Sequence, residues 1–335
     1  MHERSEPVGP GSGMSLVPIY GVPLGPCPAV DADVVEKSNE NTMSGKTVNS
    51  AILLLVIGNA LAVISDAIIK LQGSDAPVFL FVLVRLLCTI VLLLPLVTMV
   101  DRNNLFAGIK IHLIRAHVGL IGVSCMVVAL NTLPLATANA LFYAAPILVM
   151  VFSVAFFRDR LTPLSFIAAI SGFLGIILIL RPVELGWASL SAIGVAFSLS
   201  INIMLIRKLP VRQSMVHTLL LVHLCMLPAA TLLAVWEGAL PTWSLVVNAL
   251  GSAFFILCYN MTVLMAYRWV AANQVTSAEY TGLLWAILGG WWFFGEAPDL
   301  WFISGSVLIV LPLIAIGLVE HKRAKLPVRQ ASVSP

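Results

Sequence analysis

Residue types in this chain tend to reappear about 137 positions later, and that echo constrains its fold more than any single motif. Ala129, Tyr143, Phe156, Phe157 and Asp159 fall opposite Ala266, Tyr280, Phe293, Phe294 and Glu296, and Lys70 falls opposite Arg207. One residue of slippage then sets Phe166-Ile167 against Phe302-Ile303. Few positions are identical, yet the offset holds at both ends of a half. A chain patterned this way reads as two copies of one unit.

The unit is apolar. Of 335 residues, 59% are hydrophobic and 10% charged, with a mean hydropathy of +0.99, too little charge to cover a soluble domain of this size. A spanning helix needs about 20 apolar residues. Ten runs qualify, at 50–71, 77–100, 112–133, 135–157, 161–180, 186–207, 213–236, 245–269, 272–295 and 298–319. Short connections, many marked by Pro or Gly, separate them and leave no room for a soluble domain. The expected fold is an all-α integral membrane protein of ten transmembrane helices, with repeats at 50–182 and 186–320.

Residues 1–49 read as a disordered tail with scattered prolines and acids, or as sequence upstream of a start at Met43, and 321–335 as a basic tail. With ten spans, alternate loops share a side. One side collects Arg102, Lys110, Arg115, Arg158, Arg160, Arg207, Lys208, Arg212, Arg268, Lys322, Arg323, Lys325 and Arg329. The other holds Asp75, Glu184, Glu237, Glu296 and Asp299, with little basic beyond Lys70 and Arg181. The positive-inside rule puts both termini in the cytoplasm, in a cytoplasmic (inner or plasma) membrane. Trp187, Trp236, Trp243, Trp291, Trp292 and Trp301 all fall near the outer interface, as an aromatic belt does. An odd five helices per half makes the copies inverted repeats, the usual build of a secondary transporter with its solute site near the midplane.

Glu279 is the acid most deeply set in an apolar run. It lies roughly 10 Å into the ninth run at about 1.5 Å per residue, where a charged carboxylate costs around 3 kcal/mol unless it meets water, a partner or a proton. Val275, Thr276, Gly282, Leu283 and Ala286 share its face; Ala138, Asn139, Ala145 and Ser153 surround Phe142 on the fourth run, with Pro146 as an expected kink. Two small faces make room for a cavity. Candidate solute-binding or proton-coupling residues are Glu279, Tyr280, Tyr143, Asn139, Trp285 and Asn260; the bland alternative is helix–helix hydrogen bonding. Asp66, Lys70 and Arg85 form a second group, either a structural ion-paired cluster or an outer gate, with Arg85 suited to a carboxylate through its two-pronged guanidinium. His117, His217 and His223 have no metal-ligand spacing and read as packed or interfacial histidines. Five scattered cysteines suggest neither disulfides nor a metal site.

The chain resembles the drug/metabolite transporter superfamily, in its ten-helix EamA branch. The resemblance rests on Ala136 to Pro146, on the aromatic–acid end Phe156-Phe157-Arg158-Asp159-Arg160 before Gly172 and Gly175, and on Phe294-Gly295-Glu296. Arg158-Asp159 departs from the Gly-Glu turn usual in the family. The likeness covers about 50–320 and implies an inverted-repeat transporter with a central cavity, without naming a substrate. Asp66, Lys70 and Arg85 together also resemble a bacterial subgroup that takes up S-adenosylmethionine.

The leading expectation is a secondary transporter of a small polar organic metabolite, an amino acid or derivative, with proton coupling as an option. The alternative is a multidrug or cationic-compound exporter, or an S-adenosylmethionine-type uptake carrier. No Walker motif, HExxH or GxSxG occurs, so neither direct ATP use nor enzyme chemistry is expected, and no cofactor or metal. Expected partners are a small-molecule solute and the lipid bilayer, not nucleic acid, with a homodimer left open.

Overall fold

The computed structural model describes residues 48–100, 104–157, 163–180, 186–206, 208–209, 213–269, 278 and 280–325. Eleven α-helices and no strand occur among them. They are α1 (Val48–Lys70), α2 (Val78–Leu93), α3 (Ile109–Thr132), α4 (Leu135–Phe142), α5 (Ala145–Phe157) and α6 (Pro163–Leu180). There follow α7 (Trp187–Ile206), α8 (Met215–Glu237), α9 (Trp243–Trp269), α10 (Thr281–Phe294) and α11 (Leu300–Lys325).

Seven stretches are long and apolar enough to cross a membrane, and Phe166–Leu180, Thr281–Phe294 and Leu300–Ile316 are shorter apolar helices. Apolar side chains point outward as well as inward: Phe173, Leu232 and Val235 are each more than half exposed. A surface of that kind is matched by lipid chains rather than water. Trp187, Trp236, Trp243 and Trp292 are the most exposed aromatics, in keeping with rings at a membrane interface.

Three runs differ from expectation. The run at 77–100 is α-helical only to Leu93 and then tightens into a 3₁₀ turn over Leu94–Met99, because Pro95 has no N–H to continue the ladder. The run at 135–157 is not one helix kinked at Pro146. It breaks at Tyr143-Ala144, and Pro146 sits in the first turn of α5, where a missing N–H costs nothing. The last helix continues to Lys325, past the expected end at 319, since no breaker intervenes.

Packing follows four main pairs: α1 with α9, α6 with α11, α3 with α7, and α2 with α8. Small residues allow the close crossings. A Cβ on Gly175 would stand 2.6 Å from the Gly305 carbonyl oxygen, and Ser171 Oγ donates to Leu308 O at 2.7 Å across the same α6–α11 contact. Around the centre lie α1, α4 and α10, the helices that build the site.

Candidate functional site

The end of α4 faces the start of α10. Tyr143 ends α4 with φ −65° and ψ −5°, and Tyr280 precedes α10 with φ −73° and ψ −7°. Their ring centroids are 6.0 Å apart, and both residues are buried. The Tyr143 hydroxyl lies over Gly282, where any Cβ would overlap it.

Between them is a small pocket lined by Asn59, Ala62 and Val63 of α1, Asn139 and Phe142 of α4, Tyr143, and Gly282 of α10. Its open space is about that of one water molecule. Asn59, which sequence reading passes over, is the polar hinge of the wall. Its Nδ2 donates to Ala278 O at 3.0 Å and to Thr281 Oγ1 at 3.1 Å, while Thr281 Oγ1 donates to Ala278 O at 2.7 Å. These bonds tie α1 to the backbone just ahead of α10. The available signal was spacing: Asn59, Asp66 and Lys70 recur along one face of α1.

Asn139 and Tyr143 therefore line the pocket, and Tyr280 packs on Tyr143. Asn139 Nδ2 donates to its own helix, to Leu135 O at 3.1 Å. Trp285 and Asn260 are not in the wall. The Trp285 indole donates to Val56 O at 3.0 Å and pins α10 to α1; Asn260 is half-buried on α9. Glu279 lies outside the described residues, between Ala278 and Tyr280, both of them buried.

The second group does not form one cluster. Lys70 Nζ pairs with Glu296 Oε1 at 2.9 Å rather than with Asp66. It also donates to Leu133 O at 2.6 Å and Leu130 O at 3.4 Å, and stands 5.3 Å from the Phe294 ring centroid. Carbonyls at the end of α3 have no helical partner, which makes them natural acceptors for a cation. Glu296, read from sequence as an outer-loop acid, also accepts the Leu135 N–H on Oε2 at 2.7 Å and so caps α4. Gly295 makes this reach possible: its φ of +67° ends α10 in the left-handed region and turns Glu296 back.

Asp66 is buried one to two turns along α1 from the pocket, at 1% exposure. Asn139 and Arg85 are the polar groups that act on it, but neither carboxylate oxygen has a donor in good hydrogen-bonding geometry. Arg85 Nε donates to Ser252 Oγ at 2.9 Å, and Ser252 is joined in turn to Ser65 Oγ at 2.8 Å. Arg85 thus ties α2 to α9 and α1. Among the described residues no group of His, Cys, Asp and Glu could hold a metal ion.

Apolar helices whose ends close on a polar pocket are in keeping with a membrane carrier. Residues 49–181 match the EamA-like transporter family. Over 284 residues the chain is 26% identical to the pseudopaline exporter of Pseudomonas aeruginosa, covering 80% of this chain and 95% of that one. It is 24% identical over 289 residues to the S-adenosylmethionine uptake transporter of Rickettsia prowazekii, covering 83% and 95%. Against the riboflavin transporter of Vibrio cholerae identity is 26% over 223 residues, covering 64% and 73%. A solved crystal structure shares the fold with a TM-score of 0.54 at 18% identity, over 82% of this chain and 99% of the other. The match over 49–181 and these relatives support a place for the chain in the drug/metabolite transporter superfamily, and its apolar helices are those of a multi-pass membrane protein. The matched family and these relatives are transporters, not enzymes.

Proposed function

We propose that the chain is a secondary transporter that moves a small polar organic metabolite, an amino acid or derivative, across the cytoplasmic membrane by alternating access. The observation that carries this reading is the meeting of Tyr143, at the end of α4, with Tyr280, at the start of α10, beside one polar pocket; the two positions are related by the sequence offset. Interrupted helices expose backbone groups that can bind solute, which is how many carriers build a midplane site.

Ten spans arranged as two inverted five-helix repeats, 50–182 and 186–320, agree with the packing. Exchanging the halves turns the α1–α9 contact into the α7–α3 contact, and leaves α2–α8, α6–α11 and the α4–α10 contact in place. On this reading both termini are cytoplasmic, and the Lys70–Glu296 pair closes the outer end of the pathway. The pocket has room for a water but not a metabolite, which suits an occluded or solute-free stage of the cycle. Glu279, beside Tyr280, is the proposed anchor for a cationic group or a proton.

A second reading, a carrier of cationic compounds resembling S-adenosylmethionine in charge, draws on a different feature. The pocket wall holds Asn59, Asn139 and Tyr143 but no basic side chain, and Arg85 is engaged by Ser252. A cation would meet no like charge in the wall itself.

A melting-temperature screen of the purified full chain against a metabolite library distinguishes these, because a ligand that binds only the folded state raises the transition. One stabilising class, lost in Glu279→Gln and exchanged by proteoliposomes, supports the reading, and its charge selects between the two. Stabilisers that are never exchanged across the bilayer contradict it.

A further inference from the structure

Asp66 stands between the pocket and the Lys70–Glu296 pair on one face of α1. Ala62 and Val63, one turn before it, line the pocket, and Asn59 precedes it by about 10 Å along the helix. Lys70 follows by four residues, about 6 Å. Both carboxylate oxygens of Asp66 are sealed from solvent without a donor in good geometry. The pocket wall includes Asn139 but not Asp66. A proton needs no cavity, whereas a metal ion or a solute group does.

Each neighbouring helix offers Asp66 something different. Asn139 of α4 and Arg85 of α2 both act on it, yet Arg85 forms no ion pair with it and donates to Ser252 of α9. His223 of α8 lies in the field of Arg85, not of Asp66, and meets Leu219 O at 2.7 Å. Thr281–Phe294 of α10 carries no acid or base, and Glu279 ahead of it lies outside the described residues. From α3 come carbonyl oxygens, which Lys70 occupies. Among the described residues no cation therefore pairs with Asp66, and an unpaired buried carboxyl is held at far lower cost as the neutral acid. Lys70 is the cation that can change this. Its ammonium is committed to Glu296 here, but an acid and a lysine four apart on a helix meet directly once the lysine is released.

We propose that Asp66 is the proton-binding group of the carrier, and that Lys70 links its charge to the gate at Glu296. With the proton on Asp66, Lys70 stays on Glu296 and this end of the pathway is closed. When the proton leaves to water entering past Asn139, the Asp66 carboxylate draws Lys70 back along α1. The tie between α1 and the end of α10 is then broken, and the gate opens. The inference rests on the transport reading above and adds to it the coupling ion, a proton, and the residue that carries it.

The test follows the gate itself, so it needs neither a known solute nor a known orientation. Spin labels are placed on Ser74→Cys and Ala297→Cys, exposed positions beside Lys70 and Glu296, in the full chain with its native cysteines replaced by serine. Distances between the labels are measured in nanodiscs by pulsed electron paramagnetic resonance as pH is varied. The ratio of long to short distances is expected to rise with pH by up to about tenfold per pH unit, the slope for one proton. In Asp66→Asn the short distance should persist at every pH, and in Lys70→Met the long one. A pH response that is absent, or that survives in Asp66→Asn, overturns the inference. So does a ratio that rises as pH falls, which would make Glu296 the titrating group. If Lys70→Met still shows the long distance in those cases, the gate stands and only the role of Asp66 fails. A Lys70→Met protein that stays closed at every pH contradicts the gate and the alternating-access reading with it.

Discussion

Lys70 and Glu296 stand 2.9 Å apart, although 226 residues separate them in the chain. The pair closes a turn as well as a gap. The cation lies at the carboxyl end of α3, on Leu133 O, and the anion at the amino end of α4, on the Leu135 N–H. Each charge meets the helix pole of opposite sign. Three of the helices it joins, α1, α4 and α10, are those that line the pocket.

Breaking the pair should show its two functions separately. Lys70→Met leaves the Glu296 carboxylate largely buried with one donor and is expected to cost about 3 kcal/mol. Glu296→Gln keeps an acceptor for Leu135 and should cost about 1–2 kcal/mol. The double variant is expected to lose less than the sum, since the second change removes a partner already gone. Thermal or denaturant midpoints of the four proteins check this; strict additivity would mean that the pair contributes no coupling.

Gly282 is predicted to be intolerant of a single methyl group. Gly282→Ala drives a Cβ into the Tyr143 hydroxyl, and overpacking of this kind costs about 1–3 kcal/mol. Tyr143→Phe in the same chain removes the overlapping atom. Recovery of the melting temperature in the double variant, without recovery of solute binding, is the expected outcome if the hydroxyl also contacts solute.

Asp66 should behave in the opposite sense. Its carboxylate is buried with no donor in good geometry, so the neutral isostere Asp66→Asn is expected to raise the melting temperature by a few degrees or leave it unchanged. Exchange activity should fall at the same time, the pattern of a residue retained for function at the expense of stability. A clear drop in melting temperature would show instead that Arg85 and Asp66 stabilise one another.

Much of this was legible before the structure. Apolar runs of about 20 residues announced the helices, and the shared offset set Tyr143 and Tyr280 side by side, where their rings meet. Pro146 was misread because a proline in an apolar run suggests a kink, whereas here the chain breaks ahead of it and uses it in a first turn. The partner of Lys70 could not be read. Asp66, at i−4, is the nearest acid in sequence, and only the tertiary fold and the left-handed turn at Gly295 bring Glu296 into reach. Asn59 was missed for a related reason: a lone amide in an apolar helix has no visible role until Ala278 and Thr281, 219 or more residues away, are in place.

The most direct measurement locks the Lys70–Glu296 end of the proposed pathway. With the native cysteines replaced by serine, Lys70→Cys and Glu296→Cys would be bridged by a short bifunctional thiosulfonate, since two long side chains span the gap and a plain disulfide would be too short. Proteoliposome exchange of the solute class found by stabilisation is then followed before and after reduction. Alternating access predicts that exchange stops when the bridge is in place and returns once it is cleaved. Undiminished exchange through the bridged protein would contradict the account, because the helices that close the pocket would then not need to part.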